Sequence, residues 1–128
     1  MSEDNISLTS TEWNVMECLW ESAPRTGREA TEYLYERVGW ARSTTLTLLR
    51  RMTKKGIISC NEIDGIKSYS PLVKRGDAVM CETEDFLNRI YKGSVSLMMS
   101  TITKQQELTR EEIDELYEIL RKAEGARK

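Results

Sequence analysis

Five cations, Arg42, Arg50, Arg51, Lys54 and Lys55, fall between positions 42 and 55, and no acidic residue separates them. Short hydroxyls, Ser43, Thr44 and Thr47, stand early in the same stretch. The chain as a whole has a formal net charge of −2, so this local excess needs a cause. The chemistry open to these groups is recognition rather than bond-making. Hydroxyls reach base edges in a DNA major groove, and guanidinium and ammonium groups neutralise phosphates. A solvated basic face on an ordinary helix has the same composition, so the stretch alone leaves both readings open.

Catalytic chemistry finds no foothold. There is no histidine, no glycine-rich phosphate loop and no nucleophile set beside a base. Cys18, Cys60 and Cys81 are scattered, without a CxxC or CxC pair, which removes the usual structural zinc sets. They are expected to be small, half-buried hydrophobes. A redox or soft-metal sensor built from Cys60 and Cys81 is the alternative. No metal, no cofactor and no catalytic residue is expected.

The elements that must position the basic stretch can be read from periodicity and caps. Residues 40–56 predict one helix, opened by Trp40 and stopped by Gly56. Ala41, Leu48, Leu49 and Met52 would face the core. Ser43, Thr44, Thr47, Arg50, Arg51, Lys54 and Lys55 fall largely outside that stripe. Lys54 and Lys55 also oppose the helix dipole favourably, a role that needs no DNA. Upstream, Thr9 and Glu12 have capping-box spacing, and Leu8 with Trp13 has staple spacing. A first helix with an apolar stripe of Trp13, Met16, Leu19 and Trp20 should end near Ala23, before Pro24. Thr26 and Glu29 repeat the capping box for a second helix. Ala30, Leu34 and Val38 would point inward there, and Gly39 would end it. Downstream, residues 57–63 and 66–70 are strand-like around the hairpin turn Asp64-Gly65. Three helices followed by a hairpin is the order of a winged helix-turn-helix. With a basic face on the third helix, that order favours DNA binding.

Length and composition set the outer bounds. The 128 residues suit one domain, or one domain with a short appendage. Two prolines and seven glycines among many helix formers point to a mostly helical fold. The start, MSEDNISLTS, is polar and acidic and does not read as a signal peptide. No apolar run approaches the roughly 20 residues of a membrane span, so no membrane partner and a cytoplasmic location are expected.

From Lys74 the chain is helical again. Val79, Phe86, Leu87 and Ile90 mark one face, Gly93 bends or interrupts the helix, and Val95, Leu97, Met98, Met99 and Ile102 continue the apolar content. A break falls at residues 104–107. A last helix starts at Thr109, with a capping box to Glu112, and its stripe is Ile113, Leu116, Tyr117 and Leu120. So short a segment buries such a stripe poorly by itself, and a second copy of the chain is the natural cover; helices folded back on the winged domain are the alternative. Phe86, Leu87, Ile90, Tyr91, Leu97, Met98, Ile113, Leu116, Tyr117 and Leu120 are the candidate dimerisation residues. Charge divides accordingly. Residues 1–76 hold 11 Lys/Arg and 10 Asp/Glu, and residues 77–128 hold 8 and 11. The expected fold is mainly α with a small β hairpin. A winged-helix DNA-binding domain would span residues 1–73 and a helical dimerisation domain residues 74–128.

LTSTEWNVMECLW at 8–20, GWARSTTLTLLRRMTKKGII at 39–58, YSPLV at 69–73, FLNRIYKGSVSLM at 86–98 and LTREEIDELYEIL at 108–120 give the chain a more specific likeness. It resembles the penicillinase and methicillin-resistance (BlaI/MecI) repressors, with the copper-responsive CopY repressors as cousins. The resemblance covers nearly the whole chain, from about Ile6 to Lys122. It implies a homodimeric winged-helix repressor on a palindromic operator of double-stranded DNA, with interlocked C-terminal helices. By the resemblance, Thr44, Thr47 and Arg51 meet bases or phosphates, Lys54 and Lys55 meet phosphates, and Trp40 braces the helix.

The chain also departs from that pattern. The family often has W-S-P-K where this chain has Trp40-Ala41-Arg42-Ser43, which would make Ser43 a late cap. Leu46 replaces a long polar residue and, if exposed, would touch a thymine methyl or simply signal an altered operator. The wing carries Glu62 and Asp64, which leaves Lys67 as its phosphate contact. The candidate DNA contacts are therefore Arg42, Ser43, Thr44, Leu46, Thr47, Arg50, Arg51, Lys54, Lys55 and Lys67. The Asn-Phe bond whose cleavage releases the penicillinase repressors falls here at Ser100-Thr101, and the C-terminal CxC motifs of the copper branch are missing. The releasing signal, a regulatory protease or a ligand, is left open. A winged-helix module that binds protein rather than specific DNA is the competing reading.

Overall fold

The computed structural model describes residues 7–127. Helix α1, Ser10–Glu21, starts where its cap predicts. The Thr9 hydroxyl accepts from the Glu12 amide at 3.1 Å, and the Glu12 carboxylate accepts from the Thr9 amide at 2.9 Å. Its end comes earlier than expected, with Ser22 as an extended C-cap. The residue before Pro24 is disfavoured in the α region. Arg25 also reaches back, and its Nε donates to the carbonyl oxygens of Cys18 and Ser22 at 3.0 Å each. These are carbonyls that a helix end leaves open.

Helix α2, Gly27–Val38, repeats the capping box through Thr26 and Glu29 and closes on Gly39, whose φ of 77° suits glycine. Ala30 and Leu34 are buried as expected, but Val38 is not; it is 41% exposed. Helix α2 ends at Val38, the left-handed turn at Gly39 redirects the chain, and core contact passes to the half-buried Trp40.

Helix α3, Arg42–Lys55, begins two residues after Trp40. Its N-cap is Ala41, which makes no side-chain hydrogen bond. Ser43 lies inside the helix and does not cap it, and Ala41 is exposed rather than in the core. Gly56, at φ 83°, closes the helix.

Strands β2, Ile58–Ile63, and β3, Ile66–Pro71, form the wing, and β1, Arg25–Thr26, adds to it. The order is β1-β3-β2, antiparallel throughout. Asp64 at φ 54° and Gly65 at φ 79° are both left-handed, the backbone a two-residue hairpin turn demands. The third strand was not expected. Two residues carry no periodicity, and their pairing with Ser68 and Tyr69 is a tertiary event.

The core joins Val15, Met16 and Leu19 of α1, Ala30 and Leu34 of α2, Leu48, Leu49 and Met52 of α3, Ile58 of β2 and Tyr69 of β3. Trp13 and Trp20 pack edge-to-face at 5.2 Å, half-buried. The Trp20 indole N–H donates to the Val73 carbonyl at 2.8 Å, and Arg75 makes a forked pair with Glu17 at 3.1 and 3.0 Å. Cys18 is buried, and burial pushes its thiol up to about 11, so it stays a protonated hydrophobe at neutral pH. Cys81 is half-buried. Cys60 breaks the expectation and is exposed on β2, although Tyr69, its partner across the hairpin, is buried.

Three further helices follow: α4, Arg75–Tyr91; α5, Val95–Gln105; and α6, Arg110–Ala126. Lys92 at φ 53° and Gly93 at φ 84° separate α4 from α5 outright. Helix α5 runs on to Gln105, so the next break opens later than residue 104. Thr109 and Glu112 cap α6 as their spacing predicts. The chain divides into two compact units between Thr83 and Glu84. No helix among the described residues is long and apolar enough to cross a membrane.

Candidate nucleic-acid interface

One side of α3 faces the core, because Thr45, Leu48, Leu49 and Met52 recur at three- and four-residue steps and are all buried. The opposite side is thereby presented to solvent. Ser43, Thr44, Thr47, Arg50, Arg51 and Lys54 are all exposed and lie at steps of three, four and seven, so they form one face. Arg42 is exposed in the first turn. With no side-chain cap at Ala41, the first-turn amides remain available to an anion or to water. The arrangement offers hydroxyls and guanidinium groups from one rigid rod and no carboxylate, which suits base edges flanked by phosphates.

Three of the expected contacts stand apart from that face. Leu46 is half-buried and packs against the core rather than lying open; its Cδ2 would sit 3.3 Å from a Cβ added at Gly27. The reason is the tight approach of α2, which glycine at position 27 permits. Lys67 is exposed on β3 but stands directly opposite Glu62 across the hairpin. The wing therefore offers little net positive charge. Lys55 is exposed, its side chain 46% accessible, but it is paired within the fold. Its ammonium donates to the Glu12 carboxylate at 2.6 Å, where the Glu12 side chain is 4% exposed.

Glu12 is the residue that sequence reasoning saw only in part. Its capping role was plain from Thr9, three residues away. The pairing with Lys55 spans 43 residues and leaves no local signal. Burial pushes the Glu12 carboxyl up, but the hydrogen bonds from Lys55 and the Thr9 amide outweigh burial and hold it below the ordinary 4.5. A carboxyl depressed by folding adds stability above its unfolded value and loses it as pH falls through the folded one. Glu12→Gln should therefore melt lower than wild type at pH 7, and the gap should close as pH falls below about 4.5. Calorimetry across that range checks this; a gap of constant size would contradict the pairing.

The C-terminal unit has a different character. None of its described residues is buried. Phe86, Ile90, Leu97, Tyr117 and Leu120 are exposed, and Leu87, Tyr91, Met98, Ile113 and Leu116 are half-buried. A cleft of about 590 Å³ lies among Met99, Leu108, Ile113, Leu116, Tyr117 and Leu120, between α5 and α6. Ser100 and Thr101, which stand in place of the family's Asn-Phe bond, are exposed on α5.

Three helices, a wing of β2 and β3 and a basic exposed face on the third helix define a winged helix-turn-helix protein. The family model described as penicillinase repressor matches residues 8–122. The chain belongs to that family, which is one of transcriptional repressors and not of enzymes. It is 29% identical to the methicillin resistance regulatory protein MecI of Staphylococcus aureus (strain N315) over 122 residues, 95% of this chain and 99% of that one. It is 28% identical to the penicillinase repressor of Bacillus licheniformis over 121 residues, 94% of each. Its fold matches the Bacillus licheniformis BlaI monomer in complex with the blaP half-operator, with a TM-score of 0.50 and 24% identity over 56% of this chain and 88% of that one.

Proposed function

We propose that this chain is a cytoplasmic repressor that binds a palindromic operator as a homodimer, with α3 of each subunit in the major groove. The observation that carries the proposal is the hydroxyl-and-cation face of α3, exposed at each of these residues and free of carboxylates. Thr44, Thr47 and Arg51 read base edges. Arg42, Ser43, Arg50 and Lys54 hold phosphates and set register. The C-terminal helices supply the dimer contacts, since a unit with no buried residue needs a partner surface. Two-fold symmetry then sets two reading helices roughly 34 Å apart, in successive major grooves. A change at the dimer helices, by proteolysis or by a ligand, would release the operator.

Selection of duplexes from a random pool by the full-length chain, with competitor DNA at moderate salt, tests this. Two-fold symmetric sequences should be enriched, and their binding should weaken steeply as salt rises. Recovery of no preferred sequence would instead favour a module that binds protein.

A further inference from the structure

We propose that Glu12 and Lys55 are positioning residues for the reading helix, their ion pair fixing α3 against α1 while Lys55 makes no phosphate contact. The inference rests on the DNA-binding reading above. Apolar contact is non-directional, so the buried stripe of Thr45, Leu48, Leu49 and Met52 leaves some freedom for α3 to rotate or slide. A short charge-assisted hydrogen bond removes that freedom at one point. The Lys55–Glu12 contact, at 2.6 Å, acts at the last turn of α3, where the helix leaves the core.

Its anchor is a buried carboxylate held at both oxygens. One Glu12 oxygen accepts from the Thr9 amide at 2.9 Å, and the other accepts from the Lys55 ammonium. Glu12 is 3% exposed, so its charge stays satisfied only while Lys55 is in place. The first turn of α1 and the last turn of α3 are thus joined through one side chain. Lys54, the neighbouring cation, is exposed and pairs with no carboxylate among the described residues, so it remains the phosphate ligand of that turn.

The two roles predict opposite results. If Lys55 bound phosphate, Glu12→Gln would free it from a competing anion and tighten the complex. A positioning pair predicts that Glu12→Gln binds the selected operator about tenfold more weakly. Lys55→Met should lose a similar factor, with the wild-type slope of log affinity against log salt. The double variant should be no weaker than either single one, because the pair acts as a unit. All are measured with full-length protein by anisotropy at 10 °C, after circular dichroism has shown each to be folded. Should Glu12→Gln fail to fold, Lys55→Met, which leaves the Thr9 cap intact, decides alone. A slope reduced by about 0.9 in Lys55→Met marks a phosphate contact and overturns the proposal. Unchanged affinity in a variant with a lowered melting temperature shows a merely structural pair and overturns it too. A wild-type chain that binds no duplex overturns the DNA reading itself, and this inference with it.

Discussion

Replacing both Leu116 and Leu120 with glutamate should leave a folded monomer that binds a full operator about 10²–10⁴-fold more weakly than wild type. Affinity for a single half-site should hardly change. The size of the effect follows from linkage. Once one subunit is seated, the second binds at an effective concentration fixed by the dimer, and that advantage vanishes with it. The two leucines are chosen by exposure and chemistry. Leu120 is 64% exposed, Leu116 is half-buried, and both line the cleft between α5 and α6. Carboxylates there would lose their water on association, which disfavours the dimer and leaves the winged unit untouched. Sedimentation velocity gives the oligomeric state, and anisotropy on full and half-site duplexes gives the affinities. A double variant that remains dimeric, or a monomer with undiminished affinity for the full site, removes α6 from the interface.

Arg51→Ala should weaken operator binding by about 1–3 kcal/mol and relax the preference at one base pair of each half-site. Arg51 shares its face with Thr44 and Thr47 at steps of seven and four, and all three are exposed. Its removal should leave thermal stability within about 0.5 kcal/mol, since no core contact goes with it. Competition with duplexes substituted one position at a time separates base reading from phosphate contact. A uniform loss across all sequences, with a shallower salt dependence, would make Arg51 a phosphate ligand instead.

Local signals accounted for most of the fold. The capping pairs Thr9–Glu12, Thr26–Glu29 and Thr109–Glu112 marked three helix starts, because a cap is complete within four residues. The Asp64-Gly65 turn set the wing register from Ile63↔Ile66 onward. The exposed face of α3 was likewise legible, since helical periodicity alone separates it from Leu48, Leu49 and Met52. What escaped depends on distant partners. The pairing of Arg25–Thr26 with β3, the packing of Leu46 beside Gly27 and the capture of Lys55 by Glu12 all join segments far apart in the chain. Val38 and Ala41 had core-like spacing but lie where the chain turns between α2 and α3, and there periodicity ceases to apply.

The most direct measurement uses the selected operator with roughly five base pairs, half a helical turn, inserted between its half-sites. Two reading helices held by one dimer would then face opposite sides of the duplex. Affinity should fall to that of an isolated half-site. Undiminished binding to the lengthened operator would mean that the two half-sites are not engaged by a single rigid pair of α3 helices.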